Sequence, residues 1–166
     1  MEVIMEKKSF LKFCADTFKV NDFERKGNTY YYNNLNGILF VFGLQKSSYG
    51  PYYYIEHGLA FTDINRHLPY PKYHELDINL GRIMPSFGKA LRYEIMGDAE
   101  CRDLAVTIQQ KIDTIRPIVD GGKEQIIARL ISSVPNEISY VLKGTAEYLE
   151  VSDEYFKKHH IPIVDN

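Results

Sequence analysis

The sequence predicts an α+β fold: a two-layer domain in which an antiparallel sheet of about five strands packs against an N-terminal helix and C-terminal helices. Three observations predict it. Residues 28–62 alternate and turn as three consecutive strands, holding seven of the thirteen tyrosines and only two formal charges, Lys46 and Glu56. The segments on either side instead repeat their apolar residues at spacings of three and four, the period of a helix. At 166 residues the chain is long enough for one core of ordinary size, so the expectation is a single domain over residues 1–166.

Residues 5–19 read as a helix because Phe10, Phe13, Cys14 and Phe18 fall on one stripe. Leu11 widens that stripe, and Glu6, Lys8, Lys12 and Lys19 stay off it. Asn21-Asp22 ends the helix, and residues 24–27 make a polar, glycine-closed link to the sheet. The first strand is 28–33. It is followed by the turn Asn34-Leu35-Asn36-Gly37, where Asn36-Gly37 is suited to the positive φ of a tight hairpin. The second strand, 38–45, puts Ile38, Phe40, Phe42 and Leu44 on one face and Leu39, Val41 and Gln45 on the other. Both faces are apolar for most of its length. Such a strand is central, covered by helices on one side and by a loop, a partner subunit or a ligand on the other.

The third strand, 52–61, sets Tyr53, Ile55, His57, Leu59 and Phe61 against Tyr52, Tyr54, Glu56, Gly58 and Ala60. The second of these faces carries two phenols, a carboxylate and two positions with little or no side chain, a recipe for a shallow aromatic-walled depression. Residues 63–74, with Pro69 and Pro71 among aromatics, read as an ordered loop. Residues 75–81 alternate as a fourth strand with Leu76, Ile78 and Leu80 inward and Glu75, Asp77 and Asn79 outward. Residues 90–96 read as a fifth, with Leu91, Tyr93 and Ile95 inward and Arg92 and Glu94 outward.

Asp98 then caps a helix whose stripe of Leu104, Ile108, Ile112 and Ile115, widened by Cys101 and Ala105, ends at Pro117. A shorter helix over 123–131 buries Ile126, Ile127, Leu130 and Ile131. Ile138, Val141, Leu142 and Leu149 support another, and Ser152 caps a last turn or two. Residues 157–166 read as a loosely held tail. Cys14 and Cys101 read as buried free thiols rather than a disulfide.

A net charge of -2 and a pI near 6.2 leave no field to draw in nucleic acid or anionic lipid, and the cations around the sheet form no dense run. No stretch approaches the ~18 apolar residues of a membrane span. The start, MEVIMEKKSF, lacks the apolar run of a signal peptide, so the expected location is the cytoplasm. Phosphate-loop, zinc-protease, dithiol and nucleophile-elbow motifs are all absent, so no catalytic residue, cofactor or metal is assigned. His74-Glu75-x-Asp77 has ligand-type residues. On a strand, however, His74 points away from the two carboxylates, and three-ligand binding would need a bulge.

The candidate contact residues are Gln45, Lys46, Tyr52, Tyr54, Glu56, Tyr73, Arg82 and Arg92. If the fourth and fifth strands flank the third, Arg82 or Arg92 pairs with Glu56 or stays free to hold a carboxylate or phosphate through a bidentate contact. Three readings follow. One is a non-enzymatic protein-binding domain using the aromatic face. The alternative is a binder of a small anionic ligand, or a weak enzyme, in which Arg82 or Arg92 holds the anion and His57 or His74 exchanges protons. The third is a homodimer that buries its second sheet face against its copy.

The central segment also carries a resemblance. Arg25-Lys26-Gly27-Asn28-Thr29-Tyr30-Tyr31, Asn36-Gly37-Ile38-Leu39, Phe42-Gly43-Leu44-Gln45-Lys46-Ser47 and a strand ending Gly58-Leu59-Ala60 together resemble the uncharacterised bacterial family catalogued as domain of unknown function 4304. Tyr73 through Ile83, with its Gly81-Arg82-Ile83 ending, resembles that family's second block. The chain departs from the pattern at Glu56-His57, where Asn is common before the glycine, and in lacking Cys in the second block. The resemblance spans roughly residues 8–120 and implies an intracellular bacterial protein without a known catalytic role. Some similar small acidic domains are immunity partners of toxins, which would make this chain an immunity-like binder.

Overall fold

Phe10, Cys14 and Phe18 are fully buried along one side of α1 (Lys7–Lys19), which seats that helix on the sheet. The computed structural model describes residues 4–165. Residues 1–3 and 166, the outermost parts of the expected start and tail, lie outside the described residues. Phe10 stacks on Tyr53 at 5.5 Å, and Phe18 lies against Tyr30 at 4.4 Å and Phe42 at 4.8 Å. Ring pairs of this kind add about 0.5–1.5 kcal/mol each beyond their area burial.

The sheet has seven strands in sequence order: β1 (Glu24–Lys26), β2 (Thr29–Asn33), β3 (Ile38–Lys46), β4 (Tyr53–Phe61), β5 (Ile78–Arg82), β6 (Tyr140–Leu142) and β7 (Ile163–Val164). Every pairing is antiparallel except β6 with β7. The three central strands lie where alternation placed them, within a residue at each end. In the turn before β3, Leu35 and Gly37 take positive φ, rather than Asn36 and Gly37. Asn34 Oδ1 accepts from Asn36 N at 2.8 Å, holding Asn36 in place without that conformation.

The strand count of about five is corrected to seven, and each difference has a physical reason. β1 falls within the expected polar link, and all three of its residues are charged and exposed. An edge strand needs no apolar face, and charge there blunts pairing with other chains. The expected fifth strand, 90–96, reduces to one bridge between Leu91 and Tyr53, followed by a 3₁₀ turn, Tyr93–Ile95. The edge of β4 is already taken as far as Ile55, whose carbonyl accepts from Ile83 N at 2.8 Å. Ile95 consequently turns to solvent.

β6 occupies part of the expected helix around residues 138–149, of which only α4 (Thr145–Leu149) is helical. The far edge of β5 needed partners, and Ser139 N donates to Asn79 O at 2.7 Å while Leu142 N donates to Asp77 O at 3.0 Å. The stretch expected as a loose tail completes α5 (Asp153–Lys158), buries Ile161 and pairs β7 with β6. Ser152 caps α5 as expected, accepting from Tyr155 N.

α2 (Asp98–Asp120) buries Leu104, Ile108, Ile112 and Ile115 in the same core as α1 and the sheet. Gly97, not Asp98, is its cap residue, and the helix runs through Pro117 to Asp120. Burial of Ile118 and Val119 offsets the hydrogen bond that Pro117 cannot make. Its end is tied down by Asn34 Nδ2 donating to Val119 O at 2.7 Å and Tyr32 Oη donating to Asp120 at 2.8 Å. α3 (Gly122–Gln125) continues into a wide π-type turn, Ile126–Ile131, and a 3₁₀ turn, Pro135–Glu137, closes this region. Cys14 and Cys101 are both free; Cys14 is fully buried and Cys101 half-buried. Among the described residues no helix is long and apolar enough to cross a membrane.

The second sheet face is only half covered. Tyr31, Leu39, Val41, Ala60 and Leu76 form a small cluster there with Leu68 from the loop before β5. Tyr31 Oη closes the lid by donating to Pro71 O at 2.9 Å. Beyond Gly43 this cover ends, and the other end of the face is left to polar and aromatic side chains.

Candidate functional site

Alternation along β3 and β4 puts Gln45, Tyr54 and Glu56 on the uncovered end of the second face, with Tyr52 just before β4 beside them. The β4–β5 register sets Arg82 directly opposite Glu56, and Arg82 Nε donates to Glu56 Oε1 at 2.9 Å. The Arg82 guanidinium lies 3.7 Å over the Tyr54 ring, and its Nη2 reaches Gln45 Oε1 at 3.4 Å. Tyr54 meets Tyr52 edge-on at 5.6 Å, and Arg92 lies 4.7 Å over the Tyr52 ring. The result is a ladder: Arg82, Tyr54, Tyr52, Arg92. Arg92 has no carboxylate partner among the described residues.

This packing follows from ring and guanidinium chemistry. A planar cation over a phenol is attracted by the ring quadrupole, and its edges remain free for a further hydrogen-bond acceptor. The neighbouring side chains of Ser47 and Tyr54, then the Arg92 and Arg82 charges, hold the Tyr52 phenol below its ordinary pKa. Tyr73 joins the face from the loop, packed over Gly43, which pairs with Glu56. Its carbonyl accepts from Asn79 Nδ2 at 3.3 Å.

Seven of the eight sequence candidates therefore sit on one surface. Lys46 is the exception. It ends β3 on the helix side, opposite Tyr53, because alternation turns it away from Gln45. His57 also lies on the helix side, stacked on Phe42 at 5.5 Å, so the sheet separates it from Arg82 and Arg92. His74 is exposed beside Glu75. Arg82 is engaged by Glu56 and Gln45, which leaves Arg92 to meet an anion.

Asp77 and Asn79, expected to point to solvent, are buried. Asp77 Oδ2 accepts from Phe61 N at 2.7 Å and Asn65 Nδ2 at 3.1 Å, and burial raises the carboxyl pKa against those bonds. This carboxylate holds the covering loop to β4 through Phe61 N and Asn65, while His74 lies exposed beside Glu75. Asn79 and Tyr140 were missed as neighbours of the face. Tyr140 Oη lies 3.3 Å from Asn79 Nδ2, and burial, then the Glu56 charge, raise the Tyr140 phenol pKa. No local signal marked Tyr140, because its strand is three residues long.

The quoted motifs converge at one irregularity. β4 and β5 slip register between His57 and Gly58. Any Cβ on Gly58 would come within 2.2 Å of the Ile78 carbonyl oxygen, so the backbones can approach only over a glycine. Gly81 sits at φ +83, which suits glycine, and aims Arg82 at Glu56. Its amide donates to Asn79 Oδ1 at 2.8 Å and its carbonyl accepts from His57 Nδ1 at 2.8 Å.

No curated protein and no solved structure matches the chain. A family model described as "Domain of unknown function (DUF4304)" matches residues 14–144, most of the chain and further toward the C-terminus than the resemblance read from the motifs, and the chain belongs to that family.

Proposed function

We propose that this member of the DUF4304 family is a non-enzymatic protein-binding domain whose contact surface is the uncovered end of the second sheet face. The observation that carries the reading is the Arg82–Tyr54–Tyr52–Arg92 ladder. Tyrosine and arginine are the side chains that most often concentrate binding energy at interfaces, and here they are pre-arranged by stacking, so little ordering cost remains. Tyr49, 92% exposed in the adjoining loop, extends the same edge.

Charge narrows the partner. Arg82 is paired with Glu56 while Arg92 has no carboxylate partner among the described residues, so the face carries a surplus positive charge in a chain whose net charge is negative. The surface therefore suits a protein partner presenting carboxylates around an apolar or aromatic centre. It suits a second copy of this chain less well, since a symmetric dimer would bring like charges together. An immunity-like role is the finer form of this reading, with a toxin as the partner. The setting we propose is the bacterial cytoplasm, which the two free cysteines support.

The test is affinity capture from the source cells with wild type, Tyr54→Ala and Arg92→Glu, read by mass spectrometry, with light scattering of the purified protein. Both variants should keep the wild-type circular dichroism and lose a partner that a distant Lys157→Ala control retains. Removal of one such aromatic anchor should cost about 2 kcal/mol, or about thirtyfold in affinity. An unchanged partner set for both variants refutes the proposal.

A further inference from the structure

On the helix side of the sheet a cavity of about 460 Å³ lies between β4, β5, α2 and the segment around residues 129–137. His57, Leu80, Ile115 and Ile118 line its apolar part, and Lys111, Arg129 and Glu137 are among its polar residues. Its volume is within the range of small-molecule sites.

His57 is 1% exposed. Its Nδ1 is bonded to the Gly81 carbonyl at 2.8 Å, and a carbonyl only accepts, so the proton is on Nδ1 and Nε2 presents a lone pair. Nε2 has no protein partner among the described residues. Tyr30 Oη is the one fully enclosed side-chain nitrogen or oxygen without a partner among those residues, so His57 Nε2 is not sealed and opens on the cavity that the ring lines. Elsewhere on the lining, Lys111 Nζ pairs with Glu137 Oε2 at 3.0 Å, whereas Arg129 makes no ion pair among the described residues. Two cations against one carboxylate favour an anion there.

We propose that this cavity binds a small hydroxyl-bearing carboxylate: a compact apolar body, a hydroxyl that donates to His57 Nε2, and a carboxylate that faces Arg129 and Lys111. Each part of the ligand answers a part of the wall. The free acceptor on His57 matches a donor, the Leu80, Ile115 and Ile118 surface matches apolar bulk, and the unpaired Arg129 cation matches negative charge. This site is on the opposite side of the sheet from the arginine–tyrosine ladder, so the two readings stand or fall separately.

The experiment is NMR titration of the full chain, methyl-labelled at Ile and Leu. The probes are 4-hydroxybenzoate, 4-hydroxyphenylacetate and 3-(4-hydroxyphenyl)propanoate, each compared with its analogue lacking the hydroxyl. The methyl groups of Leu80, Ile115 and Ile118 should move together for at least one hydroxy acid. The matching analogue should bind about fivefold to tenfold more weakly, the value of one hydrogen bond to a buried acceptor. Arg129→Gln, at an exposed position, should weaken the same probe by a similar factor, and His57→Phe should abolish the difference between probe and analogue. Unmoved methyl groups with all three hydroxy acids, or equal affinity with and without the hydroxyl, overturn the proposal.

Discussion

Replacing His57 by Phe should flatten the acid limb of this protein's stability curve. Burial lowers the His57 pKa from 6.5 to about 4, partly countered by the Nδ1 bond to Gly81; Lys111 lowers it slightly and Glu137 raises it slightly. The sign follows from linkage. Above pH 6.5 the imidazole is neutral in both states and contributes no pH dependence. Below that value the unfolded chain takes up a proton that the folded protein refuses until about pH 4, so stability is lost as pH falls between the two. At ~1.4 kcal/mol per unit, the loss reaches about 2 kcal/mol at pH 5 and about 3 kcal/mol near pH 4, a large share of a typical domain's stability.

Asp77 works in the opposite direction. Its raised pKa means that the folded protein holds that proton more tightly than the unfolded chain, so acidification through that range favours the fold. The variant removes the histidine's share and keeps the aspartate's, so the difference between the two proteins isolates His57. At pH 7 His57→Phe should be less stable by about 1 kcal/mol, having lost the bond to the Gly81 carbonyl. By pH 5 that difference should vanish or reverse. Urea unfolding followed by far-UV circular dichroism is the assay, the chain having no tryptophan to report by fluorescence. Curves that stay parallel from pH 7 to pH 4.5 would refute the argument that this imidazole is buried neutral.

Two further substitutions test the packing. Tyr30 is 1% exposed and its hydroxyl is enclosed without a partner, so Tyr30→Phe should stabilise the fold by about 1 kcal/mol; an equally large loss in urea melts would show that the hydroxyl is satisfied in solution. Gly58→Ala should cost more than about 3 kcal/mol, because the new Cβ would lie 2.2 Å from the Ile78 oxygen and force β4 and β5 apart; an unchanged melting midpoint would mean that the bulge adjusts freely.

Much of the candidate site was legible because side-chain alternation is local. Tyr52, Tyr54 and Glu56 share a face by spacing alone, and the Glu56–Arg82 pair was one of the two partners that strand adjacency allowed. The same rule misplaced Asp77 and Asn79. Alternation says that they oppose Ile78 and Leu80, and it cannot say that a loop and Tyr140 cover that side. His57 was noted as a proton carrier but grouped with the arginines on chemical type, although its own parity put it with Phe42.

The sequence by itself determined α1, the three central strands, the positions of the turns between them and the inward stripe of α2, since a helix or strand of useful length declares its period within its own residues. Tertiary structure alone decided that the open edge of β5 would recruit β6, and β6 in turn β7. It also decided that Pro117 would be carried inside a helix, that Asp77 would be held against Phe61, and that Lys111, Arg129 and Glu137 would meet His57 around one cavity. Those outcomes depend on hydrogen-bonding edges and buried surfaces that come together only when distant segments pack, and no local pattern encodes which distant group will arrive.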